Sequence, residues 1–346
     1  QRPRPRHTEE MTSLREQCAP PTTPRRRDVL LSGLGLGASG LALSGCSGAT
    51  DSPVRPAASS ASLREGRSIA RGFRGPRQAG IVEPPQAYAV FLGLDLAPGA
   101  DADSLRRLLT IWTDDIERLM SGRATLADLE PELAGVPAGL TVTLGVGPRA
   151  VRVAGAQPPD WLMPLPAYPI DRLESRWSGG DLFVQICANS PTTVAHAQRR
   201  MLTNMGSLAT LRWVQKGFRE PFEGSDVPMR NLLGQVDGTV QPEVTGAEAH
   251  LLWGGADAPG WLRGGSSVVI RRISMNLDLW DQADRAFRER SIGRHLTSGA
   301  PLTSPADAAP TAAADLAKVD AVGLPVIDDS AHMRRARFTA PLEKNL

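Results

Sequence analysis

The sequence predicts an α+β protein whose first half is a ferredoxin-like unit, because apolar residues recur at period two in short segments and at helical spacing in two longer ones. These segments follow one another as strand, helix, strand, strand, helix, strand. Ala87 to Leu96 is apolar with strand character. Leu105, Leu108, Leu109, Trp112, Ile116 and Leu119 then share one face of a helix, with Asp103 as its candidate cap. Val142, Leu144 and Val146 alternate with smaller or polar residues, as do Leu182, Val184 and Ile186, which gives the next two strands. A helix over 192–205 and a strand over 208–213 complete the unit. Downstream, a strand is expected over 267–277, a helix opening near Asp281, and Ala-rich material from Ala306 to Val319, the makings of a repeat.

The 346 residues suffice for two packed units once a leader and a linker are set aside. The net charge of +2 comes from 39 basic and 37 acidic residues, and much of the basic excess sits in the first 27 positions. The near-neutral remainder argues against a nucleic-acid partner held by phosphate contacts. Three cysteines, Cys18, Cys46 and Cys187, cannot build a disulfide framework or a cysteine-based metal site.

Arg25, Arg26 and Arg27 precede a Gly-rich apolar run reaching Gly45, the layout of a twin-arginine export signal, too short and too rich in glycine to span a membrane. The run ends Leu43-Ser44-Gly45-Cys46, either a lipobox with a lipidated cysteine or a small-residue cleavage site with an incidental one. The scarcity of cysteine favours the lipoprotein, tethered to the membrane through Cys46. Residues 1–10 precede Met11 and are set aside from the fold. The expected organisation is a leader over 1–46, a flexible linker over 47–76, and two halves over 77–220 and 221–346.

Gly234-Gln235-Val236-Asp237-Gly238-Thr239 is the most informative local stretch. Its glycines let the backbone approach a flat ligand while the turns fix the carboxylate; taken alone, it reads better as an Asp-Gly turn between strands. A GxxDG followed by Thr, standing after Arg230-Asn231-Leu232-Leu233, resembles the signature of the dye-decolorizing (DyP-type) haem peroxidases. Further phrases fall in that family's order: Arg77-Gln78-Ala79-Gly80-Ile81, Gly179-Gly180-Asp181-Leu182-Phe183, Leu211-Arg212-Trp213, Gly264-Gly265-Ser266, Arg271-Arg272-Ile273, and Ile292-Gly293-Arg294 before Gly299-Ala300-Pro301-Leu302. The likeness covers 78–332 and is strongest to the twin-arginine-exported branch that includes the iron-uptake-associated deferrochelatase/peroxidases.

That resemblance implies two ferredoxin-like units with packed antiparallel sheets, the dimeric α/β-barrel-like arrangement, with haem b held mainly by the second. It implies a peroxidase outside the cytoplasmic membrane, at its outer face, in the periplasm or secreted, which reduces hydrogen peroxide and oxidises organic donors. Of the five histidines the family pattern selects His332 as the axial ligand of the haem iron, with Asp237 as the catalytic proton carrier and Gly238, Thr239 and Val240 lining the cofactor. The implied partners are the twin-arginine export machinery, an iron-uptake permease in the alternative reading as a haem- or iron-handling component, and a second copy in a homo-oligomer. A non-enzymatic haem-binding relative is a further alternative. The sequence departs from the family at Arg77, where a histidine is usual, and at Val240-Gln241 after the DGT. The arginine that orients peroxide beyond the axial histidine is not reached by Leu346.

Overall fold

A computed structural model describes residues 69–220, 229–238 and 241–336. The expected leader, Cys46 and the linker up to residue 68 lie outside them, as do Thr239 and Val240.

The first half folds as its periodicity requires. Strand β1 (Tyr88–Leu96) buries Val90, Leu92, Leu94 and Leu96 on alternate positions. Helix α1 (Ala102–Met120) lays Leu105, Leu108, Trp112, Ile116 and Leu119 on the same core. Its cap is Asp101 and not Asp103: the Asp101 carboxylate accepts from the Ser104 N–H at 2.8 Å, and the Ser104 hydroxyl accepts from the Asp101 N–H at 2.8 Å. This reciprocal pair satisfies two otherwise orphaned donors and leaves Asp103 as an acid in the first turn.

Strand β2 (Thr141–Val146), the short helix α2 (Pro148–Val153), strand β3 (Leu182–Ala188), helix α3 (Pro191–Asn204) and strand β4 (Ala209–Phe218) follow. Ser190 caps α3 through the Thr193 N–H, with Pro191 pre-set for the first turn. The sheet order is β2-β3-β1-β4, antiparallel throughout, which with the element order makes this half a ferredoxin-like unit. Each of Leu92, Leu94, Val184 and Ile186 is fully buried, contributing about 1.5–3 kcal/mol apiece. The Trp112 indole N–H donates to the Met201 carbonyl at 3.0 Å and so ties α1 to α3. On the opposite sheet face Trp213 lies across Gly93, where a Cβ would stand 2.2 Å from the ring. Phe91, Phe183 and Trp213 make an aromatic row there.

The second half is built differently. It holds the short helices α4 (Leu277–Asp281), α5 (Arg285–Ile292) and α6 (His332–Arg335), with isolated bridges at Arg230–Val236, Arg294–Pro301 and Val319–Pro325. The α+β class stands, but among the described residues no second sheet forms. The strand expected over 267–277 is an irregular segment without ladder bonds up to Asn276, and Leu277 opens α4. Val269 and Ile273 are exposed within it. A strand needs another backbone to bond, and alternation in one segment cannot supply that partner. Side chains hold the segment instead: Arg271 pairs with Asp171, while Arg272 lies 3.9 Å over the Trp177 ring and donates to the Gln215 side-chain carbonyl at 2.7 Å. The Ala-rich 306–319 stretch forms turns and no helix.

Candidate functional site

Asp237 stands at the end of a closed loop. The Asn231 N–H donates to the Gln235 carbonyl at 2.9 Å, the Gly234 N–H to the Asn231 carbonyl at 2.9 Å, and the Asp237 N–H to the Met229 carbonyl at 3.0 Å. Gly234 and Gly238 take positive φ, +77° and +68°, which favours glycine at both. Gln235 and Val236 are buried, whereas Asp237 and Gly238 face outward. The Asp237 carboxylate accepts the Gly238 N–H at 2.9 Å, and a Cβ on Gly238 would meet only the Gln241 amide at 3.9 Å. Arg219 is the electrostatic neighbour of the Asp237 carboxylate: burial pushes that guanidinium below its ordinary pKa and the Asp237 charge pulls it back.

A second loop locks the first. The Arg230 guanidinium donates to the carbonyls of Gly234, Leu296 and Thr297 at 3.0, 2.6 and 2.8 Å. Leu296 and Thr297 belong to a hairpin closed by the Arg294–Pro301 bridge and by the His295 N–H donating to the Ala300 carbonyl at 2.8 Å. Buried Arg294 braces it, donating to the carbonyls of Gly299 and Pro310 at 2.7 and 2.8 Å, and burial lowers the pKa of its guanidinium. Gly299 packs on Val236, next to Asp237, so tightly that a Cβ there would lie 2.6 Å from the valine Cβ. Gly293, in the left-handed turn that ends α5, packs on Met333, next to His332, where a Cβ would lie 2.7 Å from the side chain. The hairpin and the glycine turn that leads into it thus touch the immediate neighbours of both candidate residues.

His332 opens α6, and Arg334 anchors that helix by donating to the carbonyls of Ile327 and Leu316 at 2.7 and 2.9 Å. The His332 imidazole is exposed and has no hydrogen-bond partner among the described residues. The second-nitrogen tie common to ligating histidines is therefore missing from that set. Among the described residues no three His, Cys, Asp or Glu side chains converge on a point that could hold a metal ion. An exposed imidazole such as that of His332 is a donor of the type that holds haem iron, whose remaining in-plane ligands the porphyrin itself supplies, so this residue fits that group. Cavities of about 530 and 510 Å³ lie elsewhere, along α1 and beside Trp161, and neither is lined by Asp237 or His332. Sequence reasoning did not single out Arg219 or Arg230. Arg230 lay inside a quoted phrase, but only the fold shows which carbonyls it reaches.

A ferredoxin-like half, followed by a hairpin-braced Asp-Gly loop and a late histidine, defines the chain as an α+β protein. The chain belongs to the DyP-type peroxidase family: the model of the family's N-terminal part matches residues 78–219 and that of its C-terminal part residues 228–345. It is similar to a dye-decolorizing peroxidase of Thermobifida fusca, 35% identical over 279 residues, covering 75% of this chain and 63% of that one. It is also similar to a deferrochelatase of Yersinia pestis, 32% identical over 301 residues, covering 81% and 68%. Among solved structures, a DyP-type peroxidase from Cellulomonas bogoriensis shares 48% identity with a TM-score of 0.75, covering 79% and 76%. Ferric DtpA from Streptomyces lividans shares 36% with a TM-score of 0.75, covering 80% and 76%. The chain therefore spans just under two thirds of the Thermobifida relative's length.

Proposed function

We propose that the chain binds haem b through His332 and reduces hydrogen peroxide to water at the expense of organic electron donors. The observation that supports this reading is the continuous segment in which Gly293 packs on Met333 and, six residues on, Gly299 packs on Val236, which ties the neighbours of Asp237 and His332 to one turn and its hairpin. Bound haem would supply the iron and the stored oxidising equivalents. His332 would ligate the iron. The Asp237 carboxylate, held by the Gly238 N–H and exposed, would take the proton from one peroxide oxygen and return it to the other as the O–O bond breaks. Two electrons and two protons then complete the conversion to two waters. Arg334 is committed to the Ile327 and Leu316 carbonyls and is not the arginine that orients peroxide.

Titration with hemin tests this. A Soret band that saturates at one equivalent and is abolished or shifted by His332→Ala is expected; a band indifferent to that change would sink the assignment. With haem occupancy matched, Asp237→Asn should lower peroxide-dependent turnover by about 10²–10⁴-fold.

The likeness to the Yersinia deferrochelatase favours a second reading, a haem- or iron-handling component of an uptake system. Release of iron from added haem, with intact porphyrin left behind, would support it; haem recovered whole would count against it. Arg25 to Arg27, the apolar run and Cys46 further support export by the twin-arginine route and lipid anchoring at the outer face of the membrane. Mass spectrometry of the exported protein should show a diacylated Cys46 at its start.

A further inference from the structure

We infer that the cleft beside Trp161 is a second ligand site, separate from Asp237 and His332, that takes an uncharged flat aromatic molecule carrying O–H or N–H donors. The cleft has a volume of about 510 Å³, room for a two-ring compound, and indoles from both halves line it, Trp161 from the first and Trp253 from the second. Trp161 is half exposed at the rim, whereas Trp253 is nearly buried and fixed, its indole N–H donating to the Val244 carbonyl at 3.0 Å. Arg77 lies 3.5 Å over the Trp253 ring and donates to the Gly264 carbonyl at 2.8 Å, which holds that wall in place.

The polar lining selects the ligand. His250 Nδ1 lies 2.7 Å from the Ala247 carbonyl, which can only accept, so in the neutral ring Nδ1 carries the hydrogen. Nε2 is left as an acceptor. Asp257 adds a carboxylate acceptor, the Ser266 and Ser267 hydroxyls can donate or accept, and no lysine or arginine is among the described residues lining the cleft. The Asp257 carboxylate without a lining cation repels a carboxylated or sulfonated ring, while His250, Asp257 and the two serines together accept from a hydroxyl- or amino-bearing one. The frame is preformed: the Gly254 N–H donates to the Gly265 carbonyl at 2.9 Å and the Gly264 N–H to the Gly254 carbonyl at 2.8 Å, closing the loop between them. A Cβ on Gly254 would stand 2.5 Å from the Leu262 carbonyl oxygen, so the closure excludes any larger residue there.

The test is calorimetric titration of the full chain, without hemin or peroxide, with 2-naphthol and with naphthalene-2-sulfonate. Binding of 2-naphthol at least tenfold tighter than the sulfonate is expected, weakened about tenfold by Trp161→Ala and about fivefold by His250→Ala. Trp161 and His250 are exposed, and circular dichroism will verify that both variants fold. Gly254→Ala should abolish binding while the ferredoxin-like half keeps its spectrum. Equal binding of the two compounds, no binding of 2-naphthol, or indifference to either Trp161→Ala or His250→Ala would overturn the inference. Because the measurement uses no haem, its outcome is separate from that of the peroxidase reading.

Discussion

The two halves of this chain hold themselves together by different means. In the first, apolar side chains from four strands and three helices meet in one core, so the backbone ladder and the hydrophobic term reinforce each other. In the second, order comes from guanidinium groups gripping carbonyls, from glycines in left-handed turns and from single bridges. A core tolerates little loss of volume, whereas a loop framework tolerates little change at its few pivots and is nearly indifferent elsewhere.

Substitutions at both kinds of position break or sharpen that contrast. The largest effect is expected from Trp112→Ala, which empties a fully buried site and removes the bond to Met201; urea denaturation should show a loss of about 3–5 kcal/mol. A loss under 1 kcal/mol would mean that the first half has no single core. Next comes Gly299→Ala, where a positive φ and the close Val236 contact predict about 1–3 kcal/mol, with faster amide exchange at Asp237. Unchanged exchange there would show that the hairpin does not brace the loop.

A smaller effect concerns acid. The Asp128 side chain is buried 2.9 Å from His196 Nε2 and 3.6 Å from Arg200. Burial works to raise its pKa, but the Glu130 N–H, His196 and Arg200 together hold it below the usual carboxylate value. A depressed native pKa gives stability that is fully present above the unfolded value, about 3.9, and is lost as the pH falls through the native one. Asp128→Asn should therefore flatten the fall in stability below about pH 4; an equally steep fall in the variant would assign it to other carboxylates. The smallest effect is expected from Ile273→Ala, within about 0.5 kcal/mol, since that side chain is 75% exposed. A large loss would show that the segment over 267–276 is packed in solution.

The same contrast explains what the sequence reveals. Periodicity marks burial, so the strands and helices of the first half were legible, together with the face of α1 that carries Leu105 to Leu119. The cap slipped by two residues because Asp101 and Asp103 are chemically alike and only the backbone turn at Asp101 separates them. Helix α2 was missed, being short and opening on a proline. Strand β4 runs to Phe218, past Trp213, since its outer residues are exposed and carry no alternation to follow. In the second half the motif around Asp237 was legible as a turn, but its bracing was not. Arg230, Leu296 and Thr297 are distant in sequence, and guanidinium-to-carbonyl bonds leave no trace in residue type on the accepting side.

The hairpin between Arg294 and Pro301 acts as a spacer gauge. Gly293, just before it, is seated on Met333 and Gly299, within it, on Val236, so the length of chain between them bears on how far apart the two neighbouring residues are presented, much as a feeler blade sets a gap. Loops ordinarily absorb insertions at little cost. Here one added residue would displace one jaw relative to the other, so length in this turn is under a stricter constraint than side-chain identity.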